Sequence, residues 1–305
     1  LDRIEAMRHF MRVAEMGSFS AVAQQMGVAR SAVTRQVAAL EAHLGTKLIA
    51  RSTRRLALTS AGADYLEKCR VILNLVEAAE SGIAAERHVP RGPIRMSAPL
   101  SYGRRYLSPQ VLEFAKRYPE VSLDMDYIDR RSNLIEEGID LAIRITPRLD
   151  PGDVVRRISS SRLVVVASPE YLRIHGEPRH PKELIHHECL AYKATANPLH
   201  WDFLFGGRPQ TFAIRARLQA NNGDALVEAA IAGFGLTFTP EFMAADALAA
   251  GQLRQTLADF PIAEIGIYLV LPSNRHVSHR VRVLMDFLAE RLGPEPPWQR
   301  IGKSA

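Results

Sequence analysis

The strongest constraint on this chain lies in its first sixty residues, where three stretches of helical apolar spacing are cut by Gly17, Gly27 and Gly45 and followed by a short basic hairpin. Ile4, Met7, Phe10, Met11 and Ala14 recur at the helical interval, with Arg3, Arg8, Arg12 and Glu15 off that stripe. Gly17 ends this helix, and Ser18 can cap a second, shorter one running to Met26. Gly27 supplies a turn, and the small residues Ala21, Ala23 and Ala29 let two helices cross closely. A third helix opens at Arg30 or Ser31, buries Val33, Val37, Leu40 and Leu44, and stops at Gly45.

Most of the excess charge sits in the same segment. Residues 1–60 hold nine Lys and Arg against four Asp and Glu, whereas the remaining 245 hold thirty against twenty-nine, for a total of +6. Positive charge packed into a small module of this kind points to the phosphate backbone of nucleic acid. A membrane surface is the competing partner, but no apolar run approaches the ~18 residues of a span, so no membrane partner is expected. Arg30, Ser31, Thr34, Arg35 and Gln36 crowd the first turns of the third helix, the part that helix-turn-helix readers set against base edges in the major groove. Arg can bind guanine through two hydrogen bonds, Gln can pair with adenine, and a hydroxyl serves base or phosphate. In the hairpin, flanks 47–51 and 55–59 meet at a tip carrying Arg51, Arg54 and Arg55, suited to phosphate or a minor groove, with Ser52 and Thr53 adding hydroxyls. The candidate DNA-contacting set is Ser18, Arg30, Ser31, Val33, Thr34, Arg35, Gln36, Arg51, Ser52, Thr53, Arg54 and Arg55.

The run FSAVAQQMGVARSAVTRQVAALE at 19–41, with LGTKLIAR at 44–51 and LTSAG at 58–62, resembles the winged helix-turn-helix of LysR-type transcriptional regulators. Two departures bear only on which bases are read. Ala29-Arg30-Ser31-Ala32 stands where many members carry Gln and Pro, and Ile49-Ala50 where a Phe usually precedes the wing Arg.

After Thr59, a good N-cap, Leu66, Cys69, Leu73, Val76, Glu80 and Ile83 follow steps of three and four. Such a seam packs either on its own domain or on a partner helix. The hinge Pro90-Arg91-Gly92-Pro93 that follows favours the partner. The resemblance implies antiparallel pairing of this linker helix with its twin, a homodimer, and commonly a tetramer.

From Ile94 the texture changes to strands and helices in alternation, which predicts parallel α/β sheets. Strands are expected at 94–98, 121–127, 141–145, 163–167, 236–238 and 267–271, and helices at 106–117, 134–137, 224–232 and 281–292. EGIDLAIR at 137–144, VVVASPEYL at 164–172, NGDAL at 222–226 and AGFGL at 232–236 resemble the LysR effector domain. That resemblance implies a two-lobed fold like the type 2 periplasmic binding proteins. The expected fold class is thus an α/β multidomain chain. Its parts are a winged helix-turn-helix over 1–59, a linker and hinge over 60–91, and an effector domain over 92–305. Lobe I covers about 92–166 and 267–292, and lobe II about 167–266.

An effector is expected between the lobes at Pro99, Leu100, Ser101 and Tyr102, where the first strand opens its helix and free backbone N–H groups attract anions. Ile145, Thr146 and Asn221 would face them, with Phe203 and Phe238 as apolar walls. For each there is a plainer role: Ser101 as a cap, Thr146-Pro147 as a turn, Phe203 as core. Such a cleft suits a small organic metabolite, often an acid, whose identity stays open.

Enzyme chemistry finds no support. Cys69 and Cys189 lack CxxC spacing, which excludes a Cys-based zinc site and suits a reducing cytoplasm. His175, His180, His186 and His187 lack companion ligands at metal spacing and read as solvent-exposed. Gly233-Phe234-Gly235 is too short for a phosphate loop and reads as a tight turn. No serine has a Gly-x-Ser-x-Gly context. No catalytic residue, metal or bound cofactor is expected. The first residues, Leu1 to Glu5, carry no apolar signal core, so a cytoplasmic location is expected.

The chain is therefore expected to be a transcription regulator that binds double-stranded promoter DNA under the control of a small effector, with RNA polymerase open as a further partner. The alternative is an enzyme or solute-binding protein whose basic module serves only oligomerisation, which would not need the 30–36 face or the 51–55 wing. Arg35→Ala is predicted to cost ~1–3 kcal/mol of operator binding and to relax specificity at one base position. Arg54→Ala is predicted to weaken all sequences alike and to flatten the salt slope, both read by fluorescence titration at several salt concentrations.

Overall fold

The computed structural model describes residues 1–51, 56–81, 89–149, 153–272, 277–293 and 298. They belong to two compact units. One comprises Leu1–Val89, Asn133–Ile139 and Ser273–Arg282, and the other Pro90–Ser132, Asp140–Pro272 and Val283–Ala305.

In the first unit, helices α1 (Arg3–Met16), α2 (Phe19–Met26) and α3 (Arg30–Leu44) each end on a left-handed glycine, Gly17, Gly27 and Gly45. Asp2 caps α1 by accepting from the Glu5 amide, and Ser18 caps α2 by accepting from the Ala21 amide. The apolar stripes converge: Phe10, Val13, Val22, Val33, Val37 and Leu40 form one core. Strands β1 (Ile49–Arg51) and β2 (Leu56–Leu58) pair antiparallel, with Ile49 opposite Leu58. Helix α4 (Ser60–Ser81) starts at Thr59, whose Oγ1 accepts from the Gly62 amide at 2.9 Å and donates to the Lys47 carbonyl at 2.7 Å. Leu66, Cys69 and Leu73 of the expected seam enter this unit's own core. The first half of the seam is therefore used within the domain, because α4 lies against α1. Ile83 and the side chain of Glu80 lie outside the described residues.

The second unit begins with β3 (Gly92–Ala98), the short α5 (Leu100–Tyr102), a π-helical turn Gly103–Leu107, α6 (Ser108–Arg117), β4 (Val121–Tyr127), β5 (Leu141–Thr146), β6 (Val154–Ser161), β7 (Leu163–Ala167) and α7 (Pro169–His175). It continues through β8 (Glu188–Tyr192), β9 (His200–Phe205), β10 (Arg208–Ala213), β11 (Arg215–Ala220), α8 (Gly223–Ile231), β12 (Leu236–Pro240), α9 (Glu241–Ala249), β13 (Arg254–Thr256), β14 (Ile265–Leu271) and, from Val283 on, α10 (His279–Leu292). Two sheets result, ordered β4-β3-β5-β14-β6 and β11-β8-β12-β7-β13, with β9 and β10 as a separate hairpin.

Three expectations need correction here. The sheets are mixed, not parallel. β3 runs parallel to β4 and β5, but β14 pairs antiparallel with β5 and β6 because it returns from the other lobe. In the second sheet β7 is likewise antiparallel to β12 and β13. That pairing puts β7 in the second sheet, so the first crossing falls at Arg162 and not at 166 as the lobe limits proposed. Residues 134–138 form hydrogen-bonded turns instead of a helix, closed by the Ile139 amide on the Leu134 carbonyl.

Gly233-Phe234-Gly235 is a tight turn between α8 and β12, as expected. Gly235 has φ +153, and a Cβ there would stand 2.2 Å from the Glu188 carbonyl oxygen of β8. Gly235→Ala is predicted to destabilise the second unit by more than ~1 kcal/mol, seen as a lower unfolding midpoint in urea with an unchanged slope.

Candidate nucleic-acid interface and effector site

Helix α3 presents two faces. Val33, Val37 and Leu40 are buried, whereas Arg30, Ser31 and Arg35 are exposed and Thr34 and Gln36 half-exposed. Val33, proposed as a DNA contact, has 0% exposure and instead anchors the helix. The Ser18 hydroxyl is engaged as the α2 cap and remains half-exposed. Exposed Met26 and Val28 flank the turn between α2 and α3. Ser52, Thr53, Arg54 and Arg55 lie outside the described residues, as does the side chain of Arg51.

What holds the strand pair to α3 is a residue that the sequence reading passed over. Glu41, 6% exposed, accepts from the Leu48 amide at 3.0 Å and the Ile49 amide at 3.2 Å. It also receives the Lys47 ammonium at 2.6 Å. Burial pushes the Glu41 carboxyl up, but Lys47 and the two amides more than offset it, so the group sits below the usual carboxylate range. A Glu in the last turn of a helix, where the dipole disfavours a carboxylate, seven residues before a Leu-Ile pair, was the available signal.

In the second unit the proposed effector residues separate into two groups. Residues 99–102 come against α8 and α9 from the other lobe. Ser101 is buried and its Oγ donates to Asp224 Oδ2 at 2.8 Å. Tyr102 is wholly buried, its ring 5.5 Å from Tyr106 and 5.5 Å from Phe242, and burial raises its phenol well above the ordinary range. The amides expected to be free are not all free: the Leu100 N–H donates to Asp129 Oδ1 at 3.0 Å, and α5 is only three residues long. The reason is local, since Asp129 follows β4, the parallel neighbour of β3. Leu100 is exposed and Pro99 half-buried.

The second group comprises Phe203, Phe238 and Asn221 of the second lobe, with Ile145 and Thr146 at the end of β5 in the first lobe's sheet. Phe203 is fully buried in the second lobe's core, packed on Phe212 and Phe238, so its plainer role holds. Phe238 is half-buried and stacks on Trp201 at 5.4 Å. Thr146 turns back on its own chain, donating to the Arg148 carbonyl and accepting its amide, which is the turn role. Ile145 is half-buried beside Ile267 on β14, and Asn221 is exposed just ahead of α8. The sequence reading missed Arg105, Tyr106, Asp224 and Phe242. Tyr106 donates to the Phe242 carbonyl at 2.9 Å, and Arg105 to that of Met243 at 3.2 Å. These contacts span more than 120 positions, so no local pattern announces them.

A recognition-type helix behind a wing, followed by two mixed sheets joined at such a seam, agrees with comparison to known proteins. Residues 4–63 match the bacterial regulatory helix-turn-helix protein, lysR family, and residues 87–293 match the LysR substrate binding domain. The chain belongs to the LysR family of transcription regulators. It is 37% identical over 287 residues to an HTH-type transcriptional regulator of Xanthomonas campestris pv. campestris (strain 8004), covering 93% of this chain and 83% of that protein. The solved structure of CrgA, a LysR-type transcriptional regulator from Neisseria meningitidis, is 34% identical and covers 95% of this chain and 99% of its own, with a TM-score of 0.61. Full-length AphB, the Vibrio cholerae virulence activator, is 28% identical, covering 94% and 98%, with a TM-score of 0.59.

This LysR regulator is thus a DNA-binding protein with an effector-type regulatory domain and no enzymatic role. Among the described residues no helix is long and apolar enough to cross a membrane. Both cysteines are fully buried and their thiols are pushed up by that burial to about 12, so neither offers a reactive thiolate near neutral pH. His187, read as exposed, is buried beside the Tyr171 hydroxyl at 3.3 Å, and burial lowers its pKa. β8 carries its neighbour Cys189 inward, so His187 follows the chain into the lobe.

Glu41 ionises more readily folded than unfolded, so its contribution is present above the unfolded carboxylate pKa and lost as pH falls through the folded value. Glu41→Gln is predicted to cost ~1–3 kcal/mol and to flatten the fall in melting temperature below about pH 5, measured by scanning calorimetry across an acid series.

Proposed function

We infer that the regulator reads promoter DNA with the exposed face of α3. Arg30, Ser31, Thr34, Arg35 and Gln36 address base edges, while residues 51–55 of the wing and the start of α2 at Ser18 meet phosphate. The observation that carries this reading is the division of α3 into a fully buried apolar stripe and an exposed polar one, set immediately after the left-handed turn at Gly27.

Helix α4 supports pairing with a second copy. Val71 and Leu75, one turn apart, are 36% and 40% exposed, while Leu66, Cys69 and Leu73 are spent on the unit's own core. We read the protein as a cytoplasmic homodimer through α4 that assembles further into a tetramer, with RNA polymerase as a later contact. A small organic effector binds between the lobes near residues 99–102, Ile145, Thr146 and Asn221, with Phe238 as an apolar wall. Effector binding shifts promoter affinity only if the two lobe arrangements bind it unequally.

The test is a gel-shift titration of purified protein on the promoter region beside its own gene, against random competitor DNA, at two salt concentrations. A discrete shift that survives competitor is expected. Weak binding to all DNA that vanishes at the higher salt would overturn sequence-specific regulation.

A further inference from the structure

We propose that Asp224 is a built-in occupant of the regulatory site: its carboxylate fills an anion seat made by Ser101 and Arg105, and an acidic effector acts by taking its place. This rests on the effector reading of the cleft given above.

The seat joins two lobes. Ser101 and Arg105 are one helical turn apart, on the segment leaving β3, and face the same way. Asp224 stands on the first turn of α8 in the other lobe. Its Oδ2 accepts from Ser101 Oγ at 2.8 Å, and its Oδ1 lies 3.3 Å from Arg105 Nη2. A hydroxyl and a guanidinium converging on one carboxylate show which chemistry the seat accepts: a carboxylate or another compact oxyanion.

Two details make this occupant displaceable. Asp224 Oδ1 is buried yet accepts no hydrogen bond of its own, so the carboxylate is incompletely satisfied where it sits. A ligand carboxylate free to align on both partners has a geometry the tethered side chain lacks. Arg105, in contrast, is held independently: it donates to the Met243 carbonyl at 3.2 Å and lies 3.6 Å from Asp246. The seat therefore stays formed when Asp224 leaves. Displacement cuts two polar ties between the lobes, from Asp224 to Ser101 and to Arg105, and leaves the Arg105–Met243 and Tyr106–Phe242 hydrogen bonds beside them. An incoming anion thereby trades these interlobe contacts for its own, which couples binding to lobe geometry.

The decisive experiment empties the seat and refills it. Asp224→Ser keeps a residue favourable to a helix start while removing the carboxylate; Asp224→Ala serves as a second variant should the first fold poorly. Full-length protein is titrated with sodium formate, following thermal unfolding and promoter gel shift, with formamide and equal sodium chloride as controls. Formate is expected to raise the melting temperature of the variant saturably at millimolar concentration, at least tenfold more effectively than in the wild type, and formamide is not. Adding Ser101→Ala and Arg105→Gln to the variant is expected to abolish the response. In the same titration the variant's altered promoter binding is expected to return toward the wild-type value. No formate-dependent stabilisation in either variant, with promoter binding intact, overturns the assignment of Asp224 and leaves the effector cleft standing. Stabilisation by formate with no change in promoter binding overturns the effector reading of this cleft, and the proposal with it.

Discussion

A single buried carboxylate organises the DNA-binding unit. Glu41, near the end of α3, takes the two backbone amides that open the wing strand and draws in the Lys47 ammonium. A charge at this depth is tolerated only when its lone pairs are filled, and here three donors fill them. The wing strands are three residues each, with Ile49 in the unit's core and Leu56 and Leu58 packed against it. Glu41 on one side and Thr59 on the other, whose hydroxyl ties Lys47 to the start of α4, add the polar joints that fix the described part of the strand pair against α3.

The second unit solves a different problem. Each lobe has a five-stranded sheet, and the chain leaves the first at Arg162 and returns to it as β14. Lobes joined by crossing strands can change their mutual angle at little cost, so what ties them elsewhere decides the resting arrangement. Those ties concentrate on one short segment, 101–106, whose serine, arginine and tyrosine bond to 224–243. Aromatic packing of Tyr102 and Tyr106 on Phe242 and Trp298 covers the same seam with apolar contact. The π-helical turn across Gly103–Leu107 overlaps that segment. Gly103 is required there, since a Cβ would stand 2.3 Å from the Tyr127 ring. A π-helical turn and long-range contacts thus meet at the place where the lobes touch.

Much of the local structure was legible because it is written in local physics. The ends of α1, α2 and α3 followed from glycines adopting the left-handed conformation and from Ser18 as a cap. The strands at 121–127 and 163–167 followed from alternation and from an apolar run. The β9–β10 hairpin had a readable signal that was passed over, Gly206-Gly207 between two alternating stretches, both at positive φ. Residues 134–138 mimic a helix in composition but turn because the chain must enter β5 at once.

The sequence by itself determined the family, the helix-turn-helix, the division of α3 into buried and exposed faces, and the strand-helix alternation of the regulatory part. These depend on residue type and spacing over one or two turns, where side-chain periodicity and backbone preference act directly. Only the tertiary structure decided the direction of β7 and β14, the inward packing of the α4 seam, the burial of Phe203 and His187, and the meeting of Ser101 with Asp224 across 123 positions. Strand direction depends on which lobe the chain comes from. A carboxylate in the first turn of a helix satisfies the helix dipole wherever it stands, so its partner in space leaves no mark on the residues around it.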